Sequence, residues 1–269
     1  MPLTINRLLV GAIFMAFPLL PSCEKDDQQA LQAQSNWSNY TYDQLEIKGE
    51  FDPPTDKGTE LVLQVFPDLK ATITQQSRIV QNLLYSSEVN AMPAVKNLQY
   101  TIKPSGPISG KGGGAPTVYI SVNTEYLEKF YNSHNQDTAR FKREFIGMLT
   151  HELTHAFQLE PKGCGRYDGK SEFWAFIEGM ADAMRYLSGD KEWKKPKPGG
   201  TYLSGYETTG FFLIYLQDRF DPHFVMKFHE TAAKLPIWSF DGAIKEVLGE
   251  RYSLDKLWDD YQKYLLANN

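Results

Sequence analysis

The sequence predicts an α+β protein with a small sheet in its N-terminal half, a mainly helical C-terminal half, and one long helix between them. Two short segments before residue 123 have the alternation or the β-branched content of strands, whereas apolar residues after residue 137 recur at spacings of three and four. The composition is ordinary for a globular protein, with 42% hydrophobic and 23% charged residues among 269. The chain is therefore long enough for a large domain with a buried core.

The N-terminal residues have the pattern of a bacterial export signal. A polar start with Arg7 leads into an apolar stretch over residues 8–20, which is short for a membrane span, and a Leu-Pro-Ser-Cys run ends at Cys23. Because this run resembles a lipobox, we predict a lipoprotein signal peptide over residues 1–22 and a lipid anchor on Cys23. A cleaved signal peptide without lipid is the alternative. The predicted location is extracytoplasmic, on the bacterial outer membrane, and the acidic residues 24–27 are compatible with surface exposure.

A polar tether and one folded domain follow the predicted anchor. Residues 23–41 are rich in Gln, Asn and Ser, which predicts a flexible tether, and the folded domain is predicted over residues 42–269. With Cys23 lipidated, Cys164 has no second cysteine to pair with, and we interpret it as a bystander thiol rather than a metal ligand. The net charge of −5 and the lack of a basic, aromatic stripe give no indication of nucleic-acid binding.

The N-terminal half contains the predicted sheet. Residues 59–86 have a helical pattern with a break at Pro67. Residues 97–102 alternate as a half-buried strand does, and residues 117–122 form a second strand rich in β-formers. The glycine-rich residues 110–114 lack the spacing and the lysine of a phosphate loop, so we predict a mobile connector between the strands.

The C-terminal half is predicted to be almost entirely helical. Asp137 is a suitable N-cap for a long helix that ends near residue 160. Apolar periodicity predicts further helices over residues 171–187, 203–220, 222–234, 241–248 and 253–267. The basic loop 191–200 could form a rim or lid over a site, but an ordinary solvated loop is the simpler interpretation.

The long helix carries the pattern His-Glu-x-x-His. His151 and His155 are four residues apart and therefore lie one helical turn apart, so both imidazoles can reach one metal ion. Glu152 projects toward the same side and can act on a water molecule at that ion. The alternative is a pair of core histidines, which is disfavoured because buried, unpaired imidazoles beside a carboxylate are costly without a metal.

A third ligand is expected because a catalytic zinc usually takes three protein ligands and keeps one position for water. The next helix supplies Glu178 and Asp182, which share a face among apolar neighbours. One of these carboxylates can bind the metal while the other accepts a hydrogen bond from a ligating histidine. A solvated acidic face is the alternative, but buried carboxylates without a cation would be costly.

Several segments together resemble the plant basic secretory protein family. They match it in order and approximate spacing, and they are residues 118–122, 151–158, 178–182, 205–209 and 254–261. The family is regarded as zincin-like, gluzincin-type metallopeptidases, so the resemblance implies a zincin-like fold with Zn²⁺ held by His151, His155 and Glu178. It also implies that Glu152 is the general base and that Asp182 orients His151.

The chain departs from the family pattern outside these residues. Phe211 stands where many relatives carry an arginine, Ala183 replaces a usual tyrosine, and the chain is acidic whereas the family is named for being basic. These departures leave the predicted zinc ligands intact and bear on the substrate preference.

The function expected from these residues is that of a zinc-dependent peptidase acting on a peptide or protein substrate as a monomer. Tyr206 is a candidate donor to the oxyanion, although a packed aromatic role is equally compatible, and His223 and His229 are weaker candidates. By analogy with zincins, residues 117–122 would be the edge strand along which the substrate extends. The alternatives are a surface lipoprotein that binds zinc and a peptide or glycan without turnover, and an amidase acting on cell-wall substrates.

Overall fold

The structure is a computed structural model that describes residues 37–49, 54, 56–86 and 92–268. This part of the chain forms nine helices and one four-stranded sheet, which confirms the α+β class. The predicted signal peptide, Cys23 and most of the predicted tether lie outside the described residues. None of the described helices has both the length and the apolar character that a membrane crossing requires.

The sheet contains the strands β1 (Gln44–Lys48), β2 (Asn97–Lys103), β3 (Ser109–Gly114) and β4 (Thr117–Asn123). Their order is β1-β2-β4-β3, with β1, β2 and β4 parallel and β3 antiparallel to β4. One face of the sheet is buried against helices through the alternate residues Leu98, Tyr100, Ile102, Val118, Ile120 and Val122. The other face of β2 and β4 carries mainly polar residues, so the sheet is covered on one side.

Two sequence-based expectations about the sheet were wrong. The glycine-rich residues 110–114, predicted as a mobile connector, belong to β3, and residues 117–122, predicted as the edge strand, lie between β2 and β3 in the interior of the sheet. Glycine has low strand propensity, so no local signal marked β3. The strand forms because each of its six residues pairs with a residue of β4.

Three helices accompany the sheet: α1 (Lys57–Val65), α2 (Leu69–Leu84) and α3 (Thr124–Ser133). Asp56, Asp68 and Asn123 cap their N-termini through side-chain oxygens that accept backbone N–H groups. The break predicted at Pro67 separates α1 from α2. The short helix α3 was not predicted, and it begins directly after β4.

The remaining helices are α4 (Thr138–Phe157), α5 (Glu172–Leu187), α6 (Tyr206–Arg219), α7 (Phe224–Lys234), α8 (Phe240–Leu248) and α9 (Leu254–Asn268). Asp137 caps α4 as predicted, and Ser171 caps α5. Helix α4 contacts β3 and β4 as well as the helices α2, α3 and α5. It therefore lies between the sheet and the C-terminal helices, where its side chains can meet groups from both.

The packed region begins before the predicted start of the domain. The Tyr40 ring lies edge-on to Phe157 with centroids 5.7 Å apart, and its hydroxyl donates to the Val95 carbonyl at 2.9 Å. Trp37 packs against Tyr85. Residues 37–41, predicted as the end of the tether, thus contact the domain, because the aromatic rings among them cover the end of α4.

Candidate metal centre

The two histidines of α4 face each other across one helical turn. Their Nε2 atoms are 3.0 Å apart, and their rings are perpendicular with centroids separated by 4.7 Å. Both imidazoles are partly buried, and Glu152 between them is only 5% exposed. The spacing of four residues therefore brings both Nε2 atoms to one point, as the sequence predicted.

Helix α5 packs against α4 and brings Glu178 to the same point. Its Oε2 atom lies 3.2 Å from Nε2 of His151 and 3.7 Å from Nε2 of His155. This oxygen is buried but makes no hydrogen bond of acceptable geometry. One ligand atom from each of these three residues lies within 4.8 Å of the others, so the group could hold a metal ion.

Asp182, one turn further along α5, holds His151. The Nδ1–H group of His151 donates to Oδ1 of Asp182 at 2.7 Å, which leaves Nε2 directed at the shared point. Burial alone would lower the pKa of His151, but Asp182 and Glu178 outweigh it and raise this pKa to about 10. Burial would likewise raise the pKa of Glu178, but its contacts with both imidazoles hold it below its ordinary range. The pocket therefore favours a positive charge at the point where the three ligand atoms meet.

Ser109 contacts Glu152 and was not identified from the sequence. Ser109 is the first residue of β3, and its hydroxyl donates a hydrogen bond of 2.6 Å to Oε1 of Glu152. A serine before a glycine run carries no local signal for such a role. Only the pairing of β3 with β4 could have indicated it, because that pairing places the strand beside α4.

Two tyrosines lie beside the candidate metal ligands. The Tyr206 ring is parallel to that of His151, with centroids 6.1 Å apart, and it is 41% exposed. Tyr167, which the sequence did not indicate, donates its hydroxyl hydrogen bond to Oε1 of Glu178 and is 58% exposed. Burial and the nearby Glu178 raise the pKa of both phenols, so both are protonated at neutral pH and can donate hydrogen bonds.

The backbone before Tyr206 is unusual. Gly205 has φ of +64°, and a Cβ atom there would lie 2.4 Å from the Trp174 ring, so only glycine fits. Tyr206 itself has φ of +41°, which is uncommon for a residue with a side chain. This conformation starts α6 three residues later than predicted and directs the Tyr206 ring toward His151.

The other candidates lie away from the centre. His229 is fully buried, accepts a hydrogen bond from the Leu159 N–H group at 2.8 Å and contacts the Leu84 carbonyl at 3.0 Å, so it is a core residue. His223 precedes α7. Cys164 is a free, partly buried thiol outside the group of metal-ligating atoms found in the described residues.

The basic loop 191–200 packs against the C-terminal helices. Gly199 N–H donates to Oε1 of Gln262 at 2.7 Å, and Lys194 lies 3.1 Å from Glu207. Between the loop and α6 there is a cavity of about 480 Å³ that Phe211 and Tyr261 help to line. None of the predicted ligands lines this cavity.

The comparison with protein families matches residues 44–261 to the BSP family, described as "Peptidase of plants and bacteria". No curated protein and no solved structure matches the chain. The matched region includes the whole sheet, the His-Glu-x-x-His helix and the helix of Glu178. The chain therefore belongs to the basic secretory protein family, a family of peptidases of plants and bacteria.

Proposed function

We propose that the protein is a zinc-dependent peptidase in which His151, His155 and Glu178 hold the metal and Glu152 is the general base. The most direct support is that the three ligand atoms lie within 4.8 Å of one another. Next to them is the buried carboxylate of Glu152, which is not one of the three ligands. A purely structural zinc site usually closes its fourth position and needs no such base.

The residues present fit a divalent ion. Two Nε2 atoms only 3.0 Å apart and a buried carboxylate oxygen without a hydrogen bond form a set of lone pairs that a cation would satisfy together. Two imidazoles and one carboxylate are a ligand set typical of catalytic zinc. Asp182 holds the imidazole of His151 by accepting its Nδ1–H group.

The chemistry follows from where the side chains lie. When bound, zinc would lower the pKa of a coordinated water and polarise the carbonyl of the scissile peptide bond. Glu152 would accept a proton from the attacking water and pass it to the leaving amine. Ser109 would keep the Glu152 carboxylate in place, and the phenol of Tyr206 would donate to the developing oxyanion. Tyr167 would be a second donor once its hydroxyl leaves Glu178.

The fold supports an extended substrate beside α4. The family resemblance implies a zincin-like arrangement, in which a peptide extends along an edge strand above the metal helix. Of the two edge strands of the described sheet, β1 and β3, it is β3 that lies against α4 and contacts Glu152. A peptide could therefore lie between the free side of β3 and the metal ligands.

The test combines metal analysis with digestion of casein and of a peptide library. We expect one equivalent of zinc, cleavage that a chelator abolishes, and loss of cleavage in Glu152→Gln with zinc retained. Full activity in that variant would overturn the assigned base. Zinc at one equivalent without cleavage of any substrate would instead favour a lipoprotein that binds a peptide or glycan.

The location is a separate proposal that rests on the sequence. We propose that a lipid on Cys23 anchors the peptidase to the outer membrane, which would bring it to peptides outside the cytoplasm. Labelling with a fatty-acid analogue should mark the wild type and fail to mark Cys23→Ala.

A further inference from the structure

The strand β3 is almost without side chains. Its sequence is Ser-Gly-Lys-Gly-Gly-Gly, and a Cβ atom added at Gly110, Gly112 or Gly114 would meet nothing within 4 Å. None of these three residues has a positive φ. The fold itself therefore does not require glycine at these positions, although glycine weakens a strand. Glycine in a strand often marks a place where another backbone or a ligand approaches closely.

One edge of β3 is free for such an approach. β4 lies on one side of β3, and no other strand of the described sheet lies on the opposite side. The Ile108 carbonyl accepts a hydrogen bond from Asn123 N–H at 2.9 Å, next to the first pair of the ladder. Because hydrogen-bonded residues alternate in an antiparallel ladder, the backbone groups of Ser109, Lys111 and Gly113 point to the free edge.

The register also sets the face on which each side chain lies. Ser109 is opposite Val122 and Lys111 is opposite Ile120, and both partners belong to the buried face of the sheet. The hydrogen bond from Ser109 to Glu152 shows that this face is directed at the candidate centre. Lys111 is on the same face, two residues or about 7 Å further along the strand.

Lys111 is the one charged residue of β3. Its ammonium group forms no ion pair or hydrogen bond with any described residue, and the residue is only partly exposed. The acidic residues of the centre are already engaged, Asp182 and Glu178 with the imidazoles and Glu152 with Ser109. A positive charge on the same face of β3 as Ser109 is therefore available to a bound peptide.

We propose that Lys111 selects an acidic side chain in the peptide substrate, at one position within about two residues of the one that lies opposite Ser109. The inference rests on the proposed peptidase function. A peptide that pairs with the free edge of β3 places alternate side chains on the face of Lys111, where opposite charges on neighbouring strands attract. The glycines on both sides of Lys111 have no side chains that could contact the peptide. The selection therefore depends on the charge of Lys111.

The first experiment compares cleavage of a peptide library by the wild type, Lys111→Met, Lys111→Glu and the control Lys103→Glu. Lys103 ends β2 and is exposed, so it controls for a change of surface charge. We expect the wild type and the control to enrich Asp and Glu about 2- to 5-fold at one position, as a single solvated ion pair allows. Lys111→Met should lose the enrichment while still cleaving, and Lys111→Glu should enrich Lys and Arg there instead.

The second experiment measures peptide binding in the Glu152→Gln background, so that it does not depend on turnover. Peptides that differ only in one residue, Asp, Asn or Lys, are titrated against this variant with and without Lys111→Glu. The inference would be supported if the Asp peptide bound most tightly, if Lys111→Glu reversed this preference, and if high salt weakened it. This support would hold even if no substrate were cleaved. Equal affinities for the three peptides, or identical cleavage profiles in all variants, would overturn the inference.

Discussion

Ser109, at the start of the edge strand β3, donates a hydrogen bond of 2.6 Å to Glu152 in the C-terminal half of helix α4. This contact joins the sheet to the candidate general base, whose carboxylate is buried. In the proposed function the same strand also receives the peptide on its free edge. One element would then set the position of the base and the position of the peptide.

Replacing Ser109 with alanine should reduce turnover without removing the metal. A hydrogen bond to a charged group contributes about 1.5–3 kcal/mol, so we expect kcat to fall about tenfold or more while KM and zinc content change little. Ser109→Thr should restore most of the rate, because it keeps the hydroxyl. Ser121→Ala, in β4 and on the opposite face of the sheet, is the control. An unchanged kcat in Ser109→Ala would show that Glu152 is positioned without this bond.

Replacing Asp182 with asparagine should weaken metal binding. The carboxylate accepts the Nδ1–H group of His151 and favours the tautomer whose Nε2 atom is free for a metal. Loss of such a partner typically costs about 10- to 100-fold in metal affinity, which competition with a chelating dye measures directly. Asp259→Asn, on the exposed side of α9, is the control. Equal zinc affinity in both variants would contradict the role assigned to Asp182.

Removing the Tyr206 hydroxyl should slow catalysis while leaving the aromatic contact intact. Tyr206→Phe keeps the ring over His151, so we expect a lower kcat with unchanged zinc content and thermal stability. Tyr167→Phe removes the hydrogen bond to Glu178 and tests the second phenol in the same way. If each single variant keeps its rate and the double variant loses it, either phenol can serve as the donor. Full activity in the double variant would remove both from the mechanism.

The stability of the fold should depend on pH through His229. Burial lowers its pKa to about 4, whereas an unfolded histidine titrates near its ordinary value of about 6.5. Between these values only the unfolded state binds the proton, so the stability contributed at neutral pH is lost as the pH falls from about 6.5 to about 4. The loss is about 3 kcal/mol.

Urea unfolding at several pH values measures this effect. His229→Gln should be less stable than the wild type at pH 7, and its free energy of unfolding should fall less steeply between pH 6.5 and 4. Carboxylates that titrate in the same range act on both proteins, so the difference between the two slopes isolates the histidine. Parallel slopes would show that another group dominates the acid sensitivity.

The helices that carry the candidate metal ligands could be predicted because the sequence signals for these helices are local. Asp137 and Ser171 cap α4 and α5, and the periodicity that follows extends to the ends of both helices. The spacing of His151 and His155 then follows from helix geometry alone. Glu178 could be expected near the two histidines if α5 packed antiparallel against α4. The connection between the two helices is long enough for that packing.

The remaining parts of the site depend on contacts between distant segments. β3 has a composition that disfavours strands, and its pairing with β4 determines its structure. Tyr167 lies in an irregular loop with glycines on both sides, and its contact with Glu178 has no counterpart in local sequence. The direction of the Tyr206 side chain depends on the positive φ of Gly205 and Tyr206, which apolar periodicity does not reveal.

The glycine content of β3 also bears on the solubility of the protein. An open strand edge invites pairing with the edge of a second copy, and long runs of β-branched residues make such pairing persistent. Four glycines in six residues, together with one lysine, make the intermolecular sheet weak and self-repelling. The edge could thus pair briefly with a substrate chain, as the proposed function requires, and still resist the growth of fibrils.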